Sequence, residues 1–393
     1  MKEAVIVSAV RTAIGRATKG TLKDTRPDDM AAETVKEALR RTPQVKPEEV
    51  EDLIVGNAMP EAAQGMNVAR IIGVNAGLPH SVAAATVNRF CSSGLNAIAM
   101  AAESVMCGFI DVALAGGVES MSMVPMGGFN TSINPRLIDS CPDVYMPMGM
   151  TAENVAQQFN IVREDQDKFA YESHMKAVGA IKEGKFKSQI LPLEVKVEVP
   201  GADGDMVEKD VVFDTDECPR ADTSLEKLAT LRPSFSTDGS VTPGNSSPLN
   251  DGASMTMVMS AETAKKKGLK PMAVFRHFAA VGVPPGIMGI GPVFAIRKLF
   301  EKTGMKAGDI DLYELNEAFA SQAVYCIREL GLPADRVNVN GGAIALGHPL
   351  GCTGAYITTK LLYEMEARNA RWGVVSMCIG GGMGAAGLFE RAV

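Results

Sequence analysis

An α/β architecture built from two similar halves, with one long insertion, is predicted by three features of this 393-residue chain. Short β-branched runs alternate with stretches of helical periodicity towards both ends, the pattern of a mostly parallel sheet covered by helices. The pattern of the first part returns near the end at offsets of 259 and 261 residues. Between Glu119 and Asn250 the alternation stops.

The first half begins with a strand at residues 4–9 that leaves into the loop Arg11-Thr-Ala-Ile-Gly15. Met30, Ala31, Val35 and Leu39 share one face of an amphipathic helix over residues 27–41. A strand over 50–57 and a helix over 64–72 follow. Residues 81–87 are small and β-branched and read as a buried strand. Leu95, Ile98, Ala99, Ala102, Val105 and Met106 recur at helical spacing, which predicts a helix over 92–106. A strand over 111–117 ends in two glycines.

The insertion crowds methionines between Met121 and Met150, consistent with irregular apolar packing. It then offers helices at 151–156 and 164–183 and edge strands at 190–199 and 210–214. Thr223-Ser-Leu-Glu226 is a capping-box pattern opening a short helix. The insertion is expected to fold over one end of the sheet.

After Asn250 the chain repeats itself. Asp52-Leu-Ile-Val-Gly-Asn57 is echoed by Asp311-Leu-Tyr-Glu-Leu-Asn316, and Ala62-Ala-Gln64 by Ala320-Ser-Gln322. Phe90-Cys-Ser-Ser-Gly94 parallels Gly351-Cys-Thr-Gly354, and Val112-Ala-Leu-Ala-Gly-Gly117 pairs loosely with Val375-Ser-Met-Cys-Ile-Gly380. The expected division is residues 1–118 plus 251–270, an inserted domain over 119–250, and residues 271–393. A site between two such halves draws on strand ends from both.

Composition narrows the function. A net charge of −7 argues against a nucleic-acid binder or a broad anionic-membrane surface. The seven cysteines are odd in number and include no CxxC, so reduced thiols are expected. No leader peptide or membrane-length apolar run is visible, and the chain reads as cytoplasmic.

Cys91 falls where a strand turns into a helix, so free N–H groups and the helix dipole point at its sulfur. That placement predicts a thiol pKa lowered towards neutrality. Of the four histidines, only His348 sits among glycines, at a Gly-His-Pro corner. Cys378 ends a strand before consecutive glycines. Together they supply a nucleophile, a base and a second thiol for proton transfer. Gly382-Met-Gly-Ala-Ala-Gly387 spells GxGxxG, but no helix and acidic ribose partner follow before Val393. Gly179-Ala-Ile-Lys-Glu-Gly-Lys185 mimics a phosphate loop, but Phe186 replaces the required Ser or Thr and a helix precedes it. No His, Cys and carboxylate cluster has metal-ligand spacing.

Four motifs, in order, resemble the thiolases: Asn88-Arg-Phe-Cys-Ser-Ser-Gly94, Asn316-Glu-Ala-Phe319, Gly341-Gly-Ala-Ile-Ala-Leu-Gly-His-Pro-Leu-Gly351 and Cys378-Ile-Gly-Gly-Gly-Met-Gly384. The resemblance spans residues 5–387 and implies the thiolase fold: two βαβαβαββ halves, a coenzyme A-binding loop domain inserted in the first, and homodimers or homotetramers. It implies Cys91 as the nucleophile that carries the acyl group, His348 as its base, and Cys378 as the acid/base at the α-carbon of acetyl-CoA. Asn316 would hold a water that, with His348, binds one thioester oxygen, and the N–H groups of Cys91 and Gly380 would form a second oxyanion hole. Arg220 and Ser247 match positions near coenzyme A, and Gly244 and Met148 match the neighbouring lining. Coenzyme A enters as a substrate, and no tightly bound cofactor is expected.

Within the resemblance, Pro147 precedes Met148-Gly149 where biosynthetic thiolases commonly carry His. This favours a degradative 3-ketoacyl-CoA thiolase over an acetoacetyl-CoA thiolase, with Met146, Met148 and Met150 flooring an alkyl pocket. A decarboxylating ketoacyl synthase would typically carry a second histidine in place of Asn316, and a non-catalytic lipid carrier would not be expected to keep Cys91, His348 and Cys378 together.

Overall fold

The computed structural model describes residues 1–200 and 205–392. The first half holds β1 (Ala4–Thr12), β2 (Gly15–Arg16), α1 (Pro27–Arg40), β3 (Asp52–Gly56), α2 (Val68–Asn75), β4 (Ala83–Val87), α3 (Ser93–Cys107) and β5 (Val112–Ser120). The insertion adds α4 (Pro135–Ser140), α5 (Met148–Gln158), α6 (Arg163–Lys182), β6 (Ile190–Leu191), β7 (Leu193–Pro200), β8 (Met206–Phe213) and α7 (Leu225–Ala229). β9 (Asn250–Ser260) and α8 (Ala261–Lys266) close the first half. The second half holds β10 (Ala273–Gly282), α9 (Gly291–Thr303), β11 (Leu312–Leu315), α10 (Ala320–Leu330), α11 (Ala343–Leu346), α12 (Leu350–Ala367), β12 (Trp372–Ile379) and β13 (Met383–Arg391).

The strands run in the order β11-β12-β13-β10-β1-β9-β5-β3-β4, which reads as one motif and its mirror about the β10–β1 seam. That seam is short, pairing Val5 with Val274 and Ile6 with Ala273. The repeat seen in the sequence is therefore the architecture. The sheet is not mostly parallel, however. β3 lies parallel to β4 and β5, and β11 to β12, but β9 and β13 return antiparallel in each half. β13 follows β12 with no helix between them, and β9 follows the insertion rather than a helix of its own half, so a count of strand–helix alternation passes over both.

Apolar burial sorts the elements into layers. Met30 and Val35 of α1 and Ile72 of α2 cover one face of the first half, and Val293 and Leu299 of α9 cover the outer face of the second. Between the halves lie α3 and α12, with Leu95, Ile98, Ala355 and Tyr356 in one core with Ile6, Val258 and Val375. At roughly 1.5–3 kcal/mol for each large buried side chain, this central layer is a leading stabilising term. The helices touch backbone to backbone. A Cβ on Gly94 would stand 2.7 Å from Ala355 N, and one on Gly354 would overlap Leu95 N.

Three local expectations are corrected. The strand before Cys91 is not buried: β4 is the free edge of the sheet, and Ala83 and Ala85 are exposed. It pairs with one strand only, β3. The strand expected over 111–117 continues through its glycines to Ser120, paired with β9 as far as Asp251, and the glycines are required because side chains at Gly116 and Gly117 would overlap Ser254 O and Gly351 O. The capping box does not form; Ser224 alone caps α7, accepting from Lys227 N. Two motif look-alikes also resolve. Residues 179–182 lie within α6, and GxGxxG runs into β13.

The insertion is tied to the sheet by a buried ion pair. Arg11 of β1 binds Asp216 through both terminal nitrogens at 2.7 and 2.8 Å, with both side chains fully buried. Gln189 and the ring of Phe186 complete the guanidinium's surroundings. The helix crossing generates a prediction. Gly354→Ala forces a methyl group into backbone and should destabilise the protein by about 1–3 kcal/mol or more, read from urea denaturation. Unchanged stability would contradict the close approach.

Candidate active site

Asn88 and Ser93 shape the turn that presents Cys91. Asn88 Oδ1 accepts from Phe90 N at 2.9 Å, and Ser93 Oγ accepts from Arg89 N at 2.8 Å while donating to Phe90 O at 2.7 Å. These bonds hold Phe90 at φ 42°, a left-handed conformation unusual for a bulky residue. The chain turns there through a short helical segment, Phe90–Ser92, and enters α3.

The Cys91 thiol is 7% exposed and receives the N–H groups of Gly380 and of Cys91 itself. The predicted lowering of its pKa does not occur. Burial pushes it up to about 11, the two N–H groups offset only part of that, and the Glu119 carboxylate adds to it. Cys378, at the end of β12, is fully buried beside Cys91, and burial raises its thiol as well. The turn Gly380–Gly382 joins β12 to β13, with Gly381 and Gly382 at φ 77° and 86°.

His348 is held on three sides. Its N–H donates to Asn250 Oδ1 at 2.8 Å, Nδ1 lies 2.7 Å from Thr353 Oγ1, and Nε2 lies 3.3 Å from Asn316 Nδ2. Thr353 Oγ1 donates to Pro349 O, so it accepts from Nδ1–H, and the Nε2 lone pair accepts from Asn316 Nδ2. Burial lowers the imidazole to about 4, so it is neutral. Asn316 Oδ1 is buried with no protein partner. Leu350, two residues beyond His348, shares an apolar cluster with Cys91, Ala58 and Met121.

Met148 Sδ would stand 3.3 Å from a Cβ on Gly380. Met148 also packs with Met288, Phe319 and Cys378, an apolar wall beside the second thiol. Of the other two methionines expected in the pocket, Met146 Sδ accepts from Asn154 Nδ2 at 3.3 Å and Met150 is half-buried. Ser247 N donates to Ala318 O at 3.0 Å, joining its loop to the Asn316–Phe319 segment. Gly244 packs on Leu228 and Leu231 near α7, away from the thiols' own contacts. Arg220 is exposed and stands apart from the catalytic group, its N–H donating to His174 Nδ1 at 3.1 Å. None of these candidates lines the surface cleft of about 370 Å³ between Asn154 and Ile287.

Several residues at the site escaped the sequence reading. Thr353 and Asn250 fix His348. Glu317 accepts from Ser173 Oγ, Asn338 Nδ2 and Ile344 N at 2.7, 2.8 and 3.2 Å, and so anchors the Asn316 segment. His174, buried in α6, supports the Arg220 backbone. Thr353, one turn into the helix after His348, and Glu317, inside the Asn316–Phe319 motif, carried a signal; Asn250 and His174 sit in segments with no distinctive pattern.

The two buried histidines predict acid lability. Both His174 and His348 are lowered from 6.5 to about 4, so the unfolded chain binds these protons first. Stability from them is complete above about pH 6.5 and is lost as pH falls towards 4, at about 3 kcal/mol each. His174→Gln should flatten the fall in urea midpoint over that window by roughly half. An unaltered slope would refute the assignment.

Comparison with known proteins bears on this arrangement. The family model described as "Thiolase, N-terminal domain" matches residues 4–262, and "Thiolase, C-terminal domain" matches residues 269–391. A 3-ketoacyl-CoA thiolase of Bacillus subtilis (strain 168) is 56% identical over 390 residues, covering 99% of this chain and 100% of the relative. Peroxisomal 3-ketoacyl-CoA thiolase A of Mus musculus is 46% identical, covering 99% of this chain and 91% of its own. The crystal structure of the Bacillus anthracis acetyl-CoA acetyltransferase superposes with a TM-score of 0.90 at 42% identity, covering 100% of this chain and 99% of that one. With both family domains matched end to end and the mirrored halves meeting at Cys91, His348 and Cys378, the chain belongs to the thiolase family.

Proposed function

We propose that the chain is a 3-ketoacyl-CoA thiolase, cleaving 3-oxoacyl-CoA with coenzyme A into acetyl-CoA and a shortened acyl-CoA. The observation that carries this is the pair of thiols, Cys91 and Cys378, buried side by side with the Gly380 N–H on Cys91. Two thiols allow one to carry an acyl group while the other moves a proton.

In the first half-reaction, Cys91 Sγ attacks the 3-oxo carbon and its proton passes to His348 Nε2. The tetrahedral oxygen faces the N–H groups of Cys91 and Gly380, and each such donor typically contributes a factor of about 10²–10³. The C2–C3 bond breaks, the electron pair stays on C2, and Cys378 protonates it to release acetyl-CoA. His348 Nε2 and a water held by Asn316 would bind the enolate oxygen; the unpartnered Asn316 Oδ1 suits that water. Cys378 then recovers a proton from the incoming coenzyme A thiol, whose sulfur attacks the Cys91 thioester. The Cys91 thiolate leaves and regains its proton from His348. Each proton and the acyl group has a carrier on the chain, so this route needs no tightly bound cofactor.

Arg220, Ser247, Gly244 and Met148 are the proposed coenzyme A contacts, in an inserted domain over 119–250 flanked by halves at 1–118 plus 251–270 and 271–393. Support for the degradative reading comes from Pro147 before Met148 and from the relatives named 3-ketoacyl-CoA thiolase. We further propose a cytoplasmic homodimer or homotetramer. The exposed edge strand β4 supports association, because an unpaired edge is a template for a second strand. Among the described residues, no helix is long and apolar enough to cross a membrane.

Thiolysis across chain lengths, with mass mapping of the acylated peptide, tests this function. We expect the label on Cys91, and KM falling as the chain lengthens, by about 0.8 kcal/mol per buried methylene, until the pocket ends. Activity confined to acetoacetyl-CoA would favour the biosynthetic reaction, and a chain that neither turns over nor acylates would be the non-catalytic carrier. Cys378→Ser should still acylate Cys91 from acetyl-CoA but lose about 10²–10⁴-fold in C–C bond cleavage. Full cleavage activity in that variant would remove Cys378 from the proton path.

A further inference from the structure

Glu119, at the end of β5, is fully buried and is used by none of the steps above. Its carboxylate accepts five N–H groups. Oε2 takes Ala58 N and Gly351 N, each at 2.8 Å. Oε1 takes Gln64 Nε2 at 2.8 Å, and Asn57 Nδ2 and Met59 N at 3.3 Å. Among the described residues, no Lys, Arg or His forms an ion pair with it.

All five neighbours are donors. Three are backbone N–H groups. Gln64 cannot turn its amide, because its Oε1 accepts from Ser120 N at 2.5 Å, and Asn57 Nδ2 is fixed by Val118 O at 3.0 Å. A protonated carboxyl would aim its O–H at N–H groups. Burial pushes the acid up, but these surroundings offer the neutral form no acceptor. The anion is sustained by dipoles, including the first turn of the 18-residue α12, which contributes Gly351 N.

These donors belong to both halves. Residues 57–59 follow β3, and Asn88 Nδ2 ties the Cys91 turn to Ala58 O at 2.9 Å. Gly351 lies three residues beyond His348. A Cβ on Gly351 would stand 2.6 Å from Asn57 Cα and 2.7 Å from Ala58 N, so the two segments already touch. We propose that Glu119 is a positioning residue whose buried carboxylate locks the Cys91 turn and the His348 helix into register across the two halves. The proposal rests on the roles given above to Cys91 and His348.

The same anion adds to the burial that already holds the nucleophile protonated at rest. Glu119 from β5 and Cys378 from β12 face the Cys91 thiol, with neutral His348 on the turn before α12. Glu119 is itself faced by Cys91 and by Cys352 of α12, and its charge opposes the thiolate of each. Burial keeps Cys91 protonated, and a fixed negative charge here works in the same direction as the smaller contribution.

Steady-state thiolysis and the pH profile of Cys91 alkylation by iodoacetamide, on the full-length protein, test the proposal. Glu119→Gln should lower kcat about tenfold to a hundredfold, the scale of a misplacement near 1 Å, with KM for coenzyme A within about twofold. The alkylation profile should move to lower pH, because the opposing charge is gone. Glu119→Asp keeps the charge but draws the carboxylate one methylene back from Ala58 N and Gly351 N. It should lower kcat about tenfold and leave the profile in place. If Glu119→Gln does not fold, Glu119→Asp carries the test. A folded variant of either kind with wild-type kcat overturns the proposal. A wild-type protein whose Cys91 is never acylated overturns the functional reading instead, so the two failures are distinguishable.

Discussion

The structure depends on how closely two buried helices approach. α3 and α12 begin at the two reactive segments, and they cross where Gly94 faces Ala355 and Gly354 faces Leu95. Without Cβ atoms at the crossing, the first turns come into backbone contact, and the Cys91 turn and the His348 corner are drawn to one point. Gly117 extends the same constraint, since Gly351 O occupies the space a side chain there would need. Interiors pack too densely to absorb even one added methyl without displacement. The catalytic geometry is therefore set by the packing of the central layer rather than by the loops above it.

That dry layer governs the electrostatics. Cys91 at about 11 and His348 at about 4 are both neutral over a wide pH range, because burial penalises each charged form. A thiolate–imidazolium pair has little to sustain it at rest. It becomes favourable when a carbonyl carbon takes the sulfur's electrons and the Gly380 and Cys91 N–H groups take the charge that appears on oxygen. Those donors are preorganised by a glycine turn on one side and by a left-handed Phe90 on the other. A thiol activated at rest would gain reactivity towards any electrophile. One activated in the step that uses it stays inert between turnovers.

Much of this was legible in the sequence, for identifiable reasons. The mirrored order of the strands showed in paired segments such as 52–57 and 311–316, because equivalent halves pack equivalent apolar faces. Cys91, Cys378 and His348 stood out because glycines and small residues surround chemistry-bearing side chains, whereas Asn316 and Gly380 were marked only by the resemblance of their motifs. What stayed hidden depends on contacts distant in sequence. Glu119 meets Gly351 across 232 positions, and Asn250 reaches His348 across 98. The thiol pKa was misread for the same reason. A helix start is a local feature, whereas burial is contributed by both halves. The edge position of β4 was equally out of reach, since small β-branched residues suit a strand with one neighbour as well as one with two.

The insertion is coupled to the base through one amide. Asn250 Oδ1 accepts the His348 N–H, while its Nδ2 donates to Gly15 O at 2.8 Å and to Cys218 Sγ at 3.2 Å. Cys218 lies two residues before Arg220, on the strip whose Asp216 is clamped to Arg11 of β1. A side chain at Gly347 would strike the same Asn250 amide, so the Gly-His-Pro corner and the inserted strip bear on a single group from opposite sides. A buried amide with both ends engaged resists rotation, because turning it would set donor against donor and leave an acceptor unmet. The Cys218–Arg220 strip and the backbone of His348 thus share one fixed amide, which would hold the proposed coenzyme A contact at Arg220 and the proposed base as one unit.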